Sequence, residues 1–238
     1  MSKIIDFHSH VLPGIDDGSA SVEQSLRMLQ LEAEQGITQV IATPHFYARY
    51  DTPERFLRKR ETAMTQLEGA MRDHPDLPQL KMGAEVYFFP GISESEAIKQ
   101  LTIDSKRFIL LEMPEVSWTE EVYRQVEALH SSCGITPIIA HIDRYIRPFR
   151  TRGIPERLDR LPVLVQANAS FFLDRTTRSM AMRMLRNDQI HLLGSDCHDL
   201  KHRKPDLGEA VALIEKQLGR EVLDRIAFYQ DQVLMDTT

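Results

Sequence analysis

The sequence predicts an α/β fold in which parallel strands and helices alternate around a barrel of about seven units. Three observations carry that prediction. Short β-branched runs alternate with longer helical patterns along all 238 residues. Each run is followed by a helix or a long loop, which implies parallel pairing with right-handed crossovers. The side chains able to bind metal fall at the C-terminal ends of the runs, where a barrel gathers its active site. The count is one unit short of the usual eight, and a doubly wound open sheet is the alternative architecture.

The first run, 3–7 (KIIDF), reads as a strand, and 22–35 as a helix stopped by Gly36. Residues 39–43 (QVIAT) form the next strand. Pro53 stands at a helix start with Thr52 as its cap, and the pattern continues to about Arg72. Residues 80–85, 108–112, 137–140, 163–167 and 190–194 complete the strands. Helices are expected at 120–131, 155–161, 176–186, 206–217 and 221–228. No linker, low-complexity tract or internal repeat divides the chain, so 1–238 reads as a single domain.

Charge narrows the function classes. The 29 Lys and Arg fall short of the 35 Asp and Glu, for a net charge of −6. That disfavours a nucleic-acid-binding module, which carries a basic excess. No stretch approaches a membrane span, and MSKIIDFHSH lacks the apolar run of a signal peptide, so no membrane insertion and a cytoplasmic location are expected. Two cysteines, Cys133 and Cys197, make no disulfide framework.

The chemistry lies at the strand ends. His8 and His10 follow the first strand, then Asp16 and Asp17; His45 follows the second. Glu85 and Glu112 end the next two, His141 follows the fifth, and Asp196 and His198 follow the last. Alternate residues of a strand share a face, so His8 and His10 can meet one ion, and D-x-H at 196–198 repeats the geometry. Imidazole mixed with carboxylate suits zinc, iron or manganese. His74, His130 and His191 sit in a loop, on a helix and within a strand, and read as structural; His202 lies nearer the site and is left open.

These motifs are HSHVLPGIDDG, TPHFY, GAEVYF, LLEMP, AHIDRY and GSDCHD, in order from His8 to Asp199. Together they resemble the polymerase and histidinol phosphatase (PHP) superfamily, and within it the bacterial protein-tyrosine phosphatase branch linked to capsular and exopolysaccharide synthesis. The resemblance implies a distorted (β/α)7 TIM-like barrel with three divalent ions, manganese in the usual case and iron, zinc or magnesium otherwise. It places His8, His10, Glu85 and Asp196 on one ion. Glu85, Glu112 and His141 would hold the second, with Glu85 bridging, and Asp17, His45 and His198 the third. It makes Arg144 and Arg203 phosphate-binding residues and implies attack by a metal-bridging hydroxide on phosphotyrosine. The implied substrate is a phosphotyrosine protein such as the tail of a bacterial tyrosine kinase. Phenol, with a pKa of about 10, leaves readily, so no general acid is assigned.

Other readings compete. Cys197 to Arg203 spells C-x-x-x-x-x-R, the spacing of cysteine-dependent tyrosine phosphatases, but CHDLKHR contains no glycine, and Cys197 between two proposed ligands should point away from them. A small-molecule phosphatase, such as a histidinol phosphatase, and a PHP phosphoesterase on nucleic acid are the functional alternatives, followed by a non-enzymatic metal-binding module. Phe46, Tyr47, Tyr50, Phe88, Phe89 and Trp118 follow ligands and could stack on a phosphotyrosine ring or pack into the rim. Arg49, Arg147 and Arg150 could meet acidic flanks of a substrate.

Overall fold

The computed structural model describes residues 4–146 and 153–235. Nine strands and eight α-helices alternate along them: β1 (Ile4–Ser9), α1 (Val22–Glu34), β2 (Ile37–Ala42), β3 (His45–Phe46), α2 (Pro53–Met71), β4 (Gln79–Met82), β5 (Glu85–Tyr87), β6 (Phe108–Glu112), α3 (Glu120–Cys133), β7 (Thr136–Ile139), α4 (Ile154–Leu158), β8 (Leu164–Asn168), α5 (Ala169–Leu173), α6 (Arg178–Arg186), β9 (Leu192–Gly194), α7 (Leu207–Leu218) and α8 (Arg220–Leu234). Thr52 caps α2 by accepting from Arg55 N, with Pro53 in the first turn. Gly134 ends α3 in a left-handed conformation that only glycine adopts without strain.

All the paired strands run parallel, in the orders β1-β2-β4 and β3-β5-β6-β7-β8-β9. The two sets join because β2 and β4 each resume after a two-residue break. Pro44, which has no N–H to donate, lies in the first break. Gly83 N donates to Ala42 O (2.8 Å) and Glu85 N to Pro44 O (3.0 Å), carrying the pairing across both interruptions. At the other edge Asp196 N donates to His8 O (2.7 Å) and His10 N to Cys197 O (2.9 Å), so the sheet curls until its last strand lies beside its first.

The expected 80–85 strand is therefore two short strands, and Glu85 begins the second. The helix expected at 176–186 is α6, preceded by a short α5 that periodicity missed because five residues hold too little pattern. His191 lies one residue before β9, not within it.

Side chains divide by face. Ile5, Phe7, Ile41, Phe108, Leu110, Ile138, Leu164 and Leu192 fill the inside of the curl, and Ile103 and Val233 pack with them. A larger cluster, including Val40, Ile109, Leu111 and Val165, lies between the sheet and its helices. The alternation then delivers polar groups above the inner layer: Glu112 shares a face with Phe108 and Leu110, and Gln166 and Asn168 share one with Leu164.

The register of β1 on β2 shifts between Ile4 and Ile5 and again between Asp6 and Ser9, and the second shift breaks this alternation. Asp6 pairs with Val40 and Ser9 with Ala42, so three steps on β1 match two on β2. The extra residue is a β-bulge, which re-aims side chains. Asp6 consequently faces Glu32 of α1, while His8 and His10 face the interior.

Candidate metal centre

His8 Nε2 lies 3.2 Å from His10 Nε2, 3.2 Å from Glu85 Oε2 and 3.4 Å from Asp196 Oδ1. His10 Nε2 lies 3.3 Å from Glu85 Oε2 and 3.5 Å from Asp196 Oδ1. Donors sharing one ion at 2.0–2.2 Å are separated by about 3.0–3.6 Å, depending on geometry. All five separations fall in that interval.

The imidazole tautomers are set by their outer contacts. His8 Nδ1 faces Gln166 Oε1 (3.3 Å), His10 Nδ1 faces Asp16 Oδ2 (2.7 Å), and His198 Nδ1 faces the Asp196 carbonyl (3.0 Å). Each partner is an acceptor, so each Nδ1 donates, and in the neutral ring each Nε2 keeps its lone pair. With both rings neutral, two lone pairs oppose each other at 3.2 Å in a fully buried place; burial lowers both imidazoles, yet Glu85 and Asp196, with Asp16 at His10, raise them, so the cluster favours positive charge between the rings. Glu85 Oε2, Glu112 Oε2 and His198 Nε2 are also buried without a hydrogen bond. Buried polar atoms are ordinarily satisfied, and this concentration of exceptions fits divalent cations.

Two further groups adjoin the first. Glu85 Oε1 is 2.7 Å from His141 Nε2, which is 3.7 Å from Glu112 Oε1; His45 Nδ1 is 2.9 Å from Glu85 Oε2 and 3.9 Å from Glu112 Oε2. Asp17 Oδ1 is 3.4 Å from His45 Nε2 and 3.5 Å from His198 Nε2, and His10 completes that cluster. The structure thus brings together His8, His10, Asp17, His45, Glu85, Glu112, His141, Asp196 and His198. Burial alone would raise the Glu85 carboxyl, yet His8, His10, His141 and His45 hold it well below the ordinary carboxylate range. Burial opposes the Asp196 charge likewise, and His8 and His10 outweigh it. Burial, with His10 and Arg203 nearby, lowers His198 to about 4, keeping its imidazole neutral as a ligand requires.

Backbone strain and close approach mark the same place. His141 (φ 31°) and Asp196 (φ 54°) adopt left-handed conformations uncommon for residues with side chains. A Cβ on Gly194 would stand 2.6 Å from His8 Cβ, and one on Gly18 would stand 2.4 Å from His10 Cβ. Only glycine permits the turns to press against the two histidines.

Several supporting residues escaped the sequence reading. Gln166 Oε1 also accepts from His141 N (2.7 Å), its Nε2 donates to Asn168 Oδ1 (3.0 Å), and Asn168 Nδ2 donates to Asp196 Oδ2 (2.9 Å). Neutral amides give no charge signal, although their two-residue spacing at a strand end could have drawn notice. Asp6 accepts from His8 N (3.0 Å) and Ser195 N (2.9 Å), fastening the end of β1 to the segment after β9. Asp16, grouped by sequence with the metal-capable residues, instead orients His10 and accepts from His45 N (3.0 Å).

Arg144 Nη2 is 2.7 Å from Asp196 Oδ2 and its Nη1 is 3.5 Å from Glu112 Oε1; Arg203 Nη2 is 2.5 Å from Asp196 Oδ1. Both guanidinium groups therefore border the cluster. Cys197 is fully buried, its Sγ 4.0 Å from Glu32 Oε1, and burial beside Glu32 and Asp6 pushes its thiol up, the opposite of an activated thiolate. Phe46, Phe88 and Trp118 are buried in the rim and Phe89 is half-buried against the core, whereas Tyr47 is half-buried at the mouth and Tyr50 is exposed. Tyr87 joins them, its ring 5.6 Å from that of Tyr47. His202 is exposed and outside every candidate ligand group among the described residues. Arg147 and Arg150 lie outside the described residues.

The sequence matches the family described as "Capsular polysaccharide synthesis, CpsB/CapC" over residues 4–236. It is 26% identical over 243 residues to the tyrosine-protein phosphatase CpsB of Streptococcus agalactiae, covering 98% of each chain. It is 29% identical over 234 residues to the tyrosine-protein phosphatase YwqE of Bacillus subtilis, covering 92% of this chain and 87% of that one. The fold resembles a solved chain from work on Bacillus subtilis YwqE and Streptococcus pneumoniae CpsB, described as unique metal-dependent tyrosine phosphatases (TM-score 0.84, 23% identity, 99% and 96% coverage). It also resembles the histidinol phosphate phosphatase of Lactococcus lactis, solved with zinc, L-histidinol and phosphate (TM-score 0.55, 16% identity, 90% and 93% coverage).

Proposed function

The chain belongs to the CpsB/CapC family of capsular polysaccharide synthesis, and from that premise we propose that it is a metal-dependent protein-tyrosine phosphatase. Its relatives bear that activity in their names. The observation that carries the reading is the approach of His8 Nε2 to His10 Nε2 at 3.2 Å beside the buried carboxylates of Glu85 and Asp196.

His8, His10, Glu85 and Asp196 would hold one ion; Glu85, Glu112 and His141 a second, with Glu85 shared; Asp17, His45 and His198 a third. Manganese is the proposed ion. When bound, the ions supply Lewis-acid activation of phosphate and of the attacking water. The chain does the rest. Arg144 and Arg203 turn their guanidinium groups toward equatorial phosphate oxygens and stabilise charge developing in the transition state. Gln166, Asp16 and the Asp196 carbonyl fix the imidazoles before substrate arrives. Tyr47 and Tyr87 flank the mouth where a phenyl ring would lie.

Counting each interrupted pair, β2/β3 and β4/β5, as one strand gives a (β/α)7 barrel; the hydrogen bonds across both breaks and from β1 to the segment after β9 support that count. The reading extends to one domain over 1–238, working in the cytoplasm on the tyrosine-rich tail of a capsule-synthesis kinase. Among the described residues no helix is long and apolar enough to cross a membrane.

The testing experiment compares a phosphotyrosine peptide, histidinol phosphate and a thymidine ester as substrates under defined metals. Preferred hydrolysis of the peptide is expected. Preference for histidinol phosphate would replace this reading with the small-molecule one.

A further inference from the structure

We propose that Arg55, Arg58 and Lys59 of α2 form a docking trough for negatively charged residues flanking the substrate phosphotyrosine. The proposal rests on the phosphatase reading above and assigns the peptide sequence that site prefers. A groove of about 420 Å³ opens beside the ligands Asp17 and His45 and is walled by Tyr47, Tyr50, Arg55 and Lys59. A second, of about 390 Å³, continues along α2 past Arg58, Thr62 and Gln66. Ile15, Arg55 and Lys59 line both, so they form one trough that starts at the metal ligands.

The charge of the second groove runs against the rest of the molecule. The chain carries −6 overall, yet no carboxylate lines the second groove. Asp51 pairs with Arg55 and with Lys59 (2.8 Å), and Arg55 also donates to the Tyr50 carbonyl. Asp16, Asp17 and Asp51 line the first groove, so the cationic excess is confined to the second, where one carboxylate, Asp51, against three cations leaves about two positive charges by simple count. Arg58 is exposed and pairs with no carboxylate among the described residues. Positions 55, 58, 59 and 62 fall on one helix face, so the cations point the same way.

Length and chemistry specify the occupant. Residues 55 to 62 span about 10 Å of helix, which matches about three residues of extended peptide. A planar guanidinium grips carboxylate or phosphate through two oxygens. The second groove therefore suits Asp and Glu carboxylates within about three residues of the phosphotyrosine. A nucleic acid would need a longer basic track than three cations supply.

The test uses the full chain loaded with manganese and three phosphotyrosine peptides: neutral flanks, Asp/Glu flanks within three residues on both sides, and a second phosphotyrosine three residues away. At about 50 mM salt, kcat/KM for the Asp/Glu peptide should exceed that for the neutral peptide by roughly tenfold. In Arg58→Glu that ratio should fall to near one. Raising salt to about 300 mM should shrink it in the unaltered protein, a readout that needs no variant. A gain for the doubly phosphorylated peptide alone would overturn the carboxylate assignment. Equal rates on all three peptides, or a ratio kept in Arg58→Glu, would overturn the trough while leaving the phosphatase reading intact. Hydrolysis of none would defeat both.

Discussion

His8 Nε2 and His10 Nε2 face each other across 3.2 Å, each with its Nδ1 directed at an acceptor. The β-bulge in β1 and the close approach of Gly18 and Gly194 hold them there. The site is thus built into the backbone, and its chemistry can be probed one residue at a time.

Glu85 touches His8, His10, His45 and His141, so removing its charge should disturb more than one ion. Glu85→Gln is expected to lower bound metal and to cost more than the roughly 100-fold seen at the upper end for outer-shell changes. Glu115→Gln, at an exposed position nearby, should do neither. Metal analysis and turnover on the two variants check this, and equal effects would remove Glu85 from the ligand set.

Arg144 and Arg203 border the cluster from outside. Arg144→Ala and Arg203→Ala should keep their metal, lose about 2–4 kcal/mol of transition-state stabilisation, and resist inhibition by inorganic phosphate. Normal turnover with unchanged phosphate inhibition would reduce that arginine to a surface ion pair.

Gln166 ties His8 to the His141 backbone. Gln166→Ala should weaken metal retention by about 10–100-fold without removing any ligand, because His8 loses its orienting acceptor. Competition with a chelator measures it. Unchanged retention would show that β1 alone orients His8.

Asp206 supplies a pH prediction. Burial, with Asp6 and Glu209 near, raises its carboxyl to about 7. A raised folded-state value means the protonated form is favoured on folding. That contribution is complete below the ordinary carboxylate value near 4 and is lost as pH rises through about 7. Asp206→Asn should therefore raise Tm by roughly 3–6 °C at pH 8 and change it little at pH 4. An equal shift at both pH values would contradict the assignment.

Much of this was legible in the sequence because strand ends concentrate chemistry. The Thr52–Pro53 helix start and the 108–112 strand followed from period, and position put ten metal-capable residues at strand ends, from which the family resemblance took the nine proposed ligands. The bulge at 6–9 was not legible. Strict alternation puts Asp6 on the same face as His8, and only the register with β2 reveals the extra residue. Gln166 and Asn168 stayed hidden because neutral amides act here through orientation, a property of three-dimensional neighbours. The buried state of Phe46, Phe88 and Trp118 depends on rim packing that no local pattern encodes.

The most direct test of the central claim is reconstitution. The protein is stripped with a chelator, verified metal-free, and assayed on a phosphotyrosine peptide before and after manganese is returned. The account predicts no turnover without metal, recovery with manganese, and a Tm that rises on loading as His8, His10, Glu85 and Asp196 gain a cation. Undiminished turnover in the metal-free protein would contradict it.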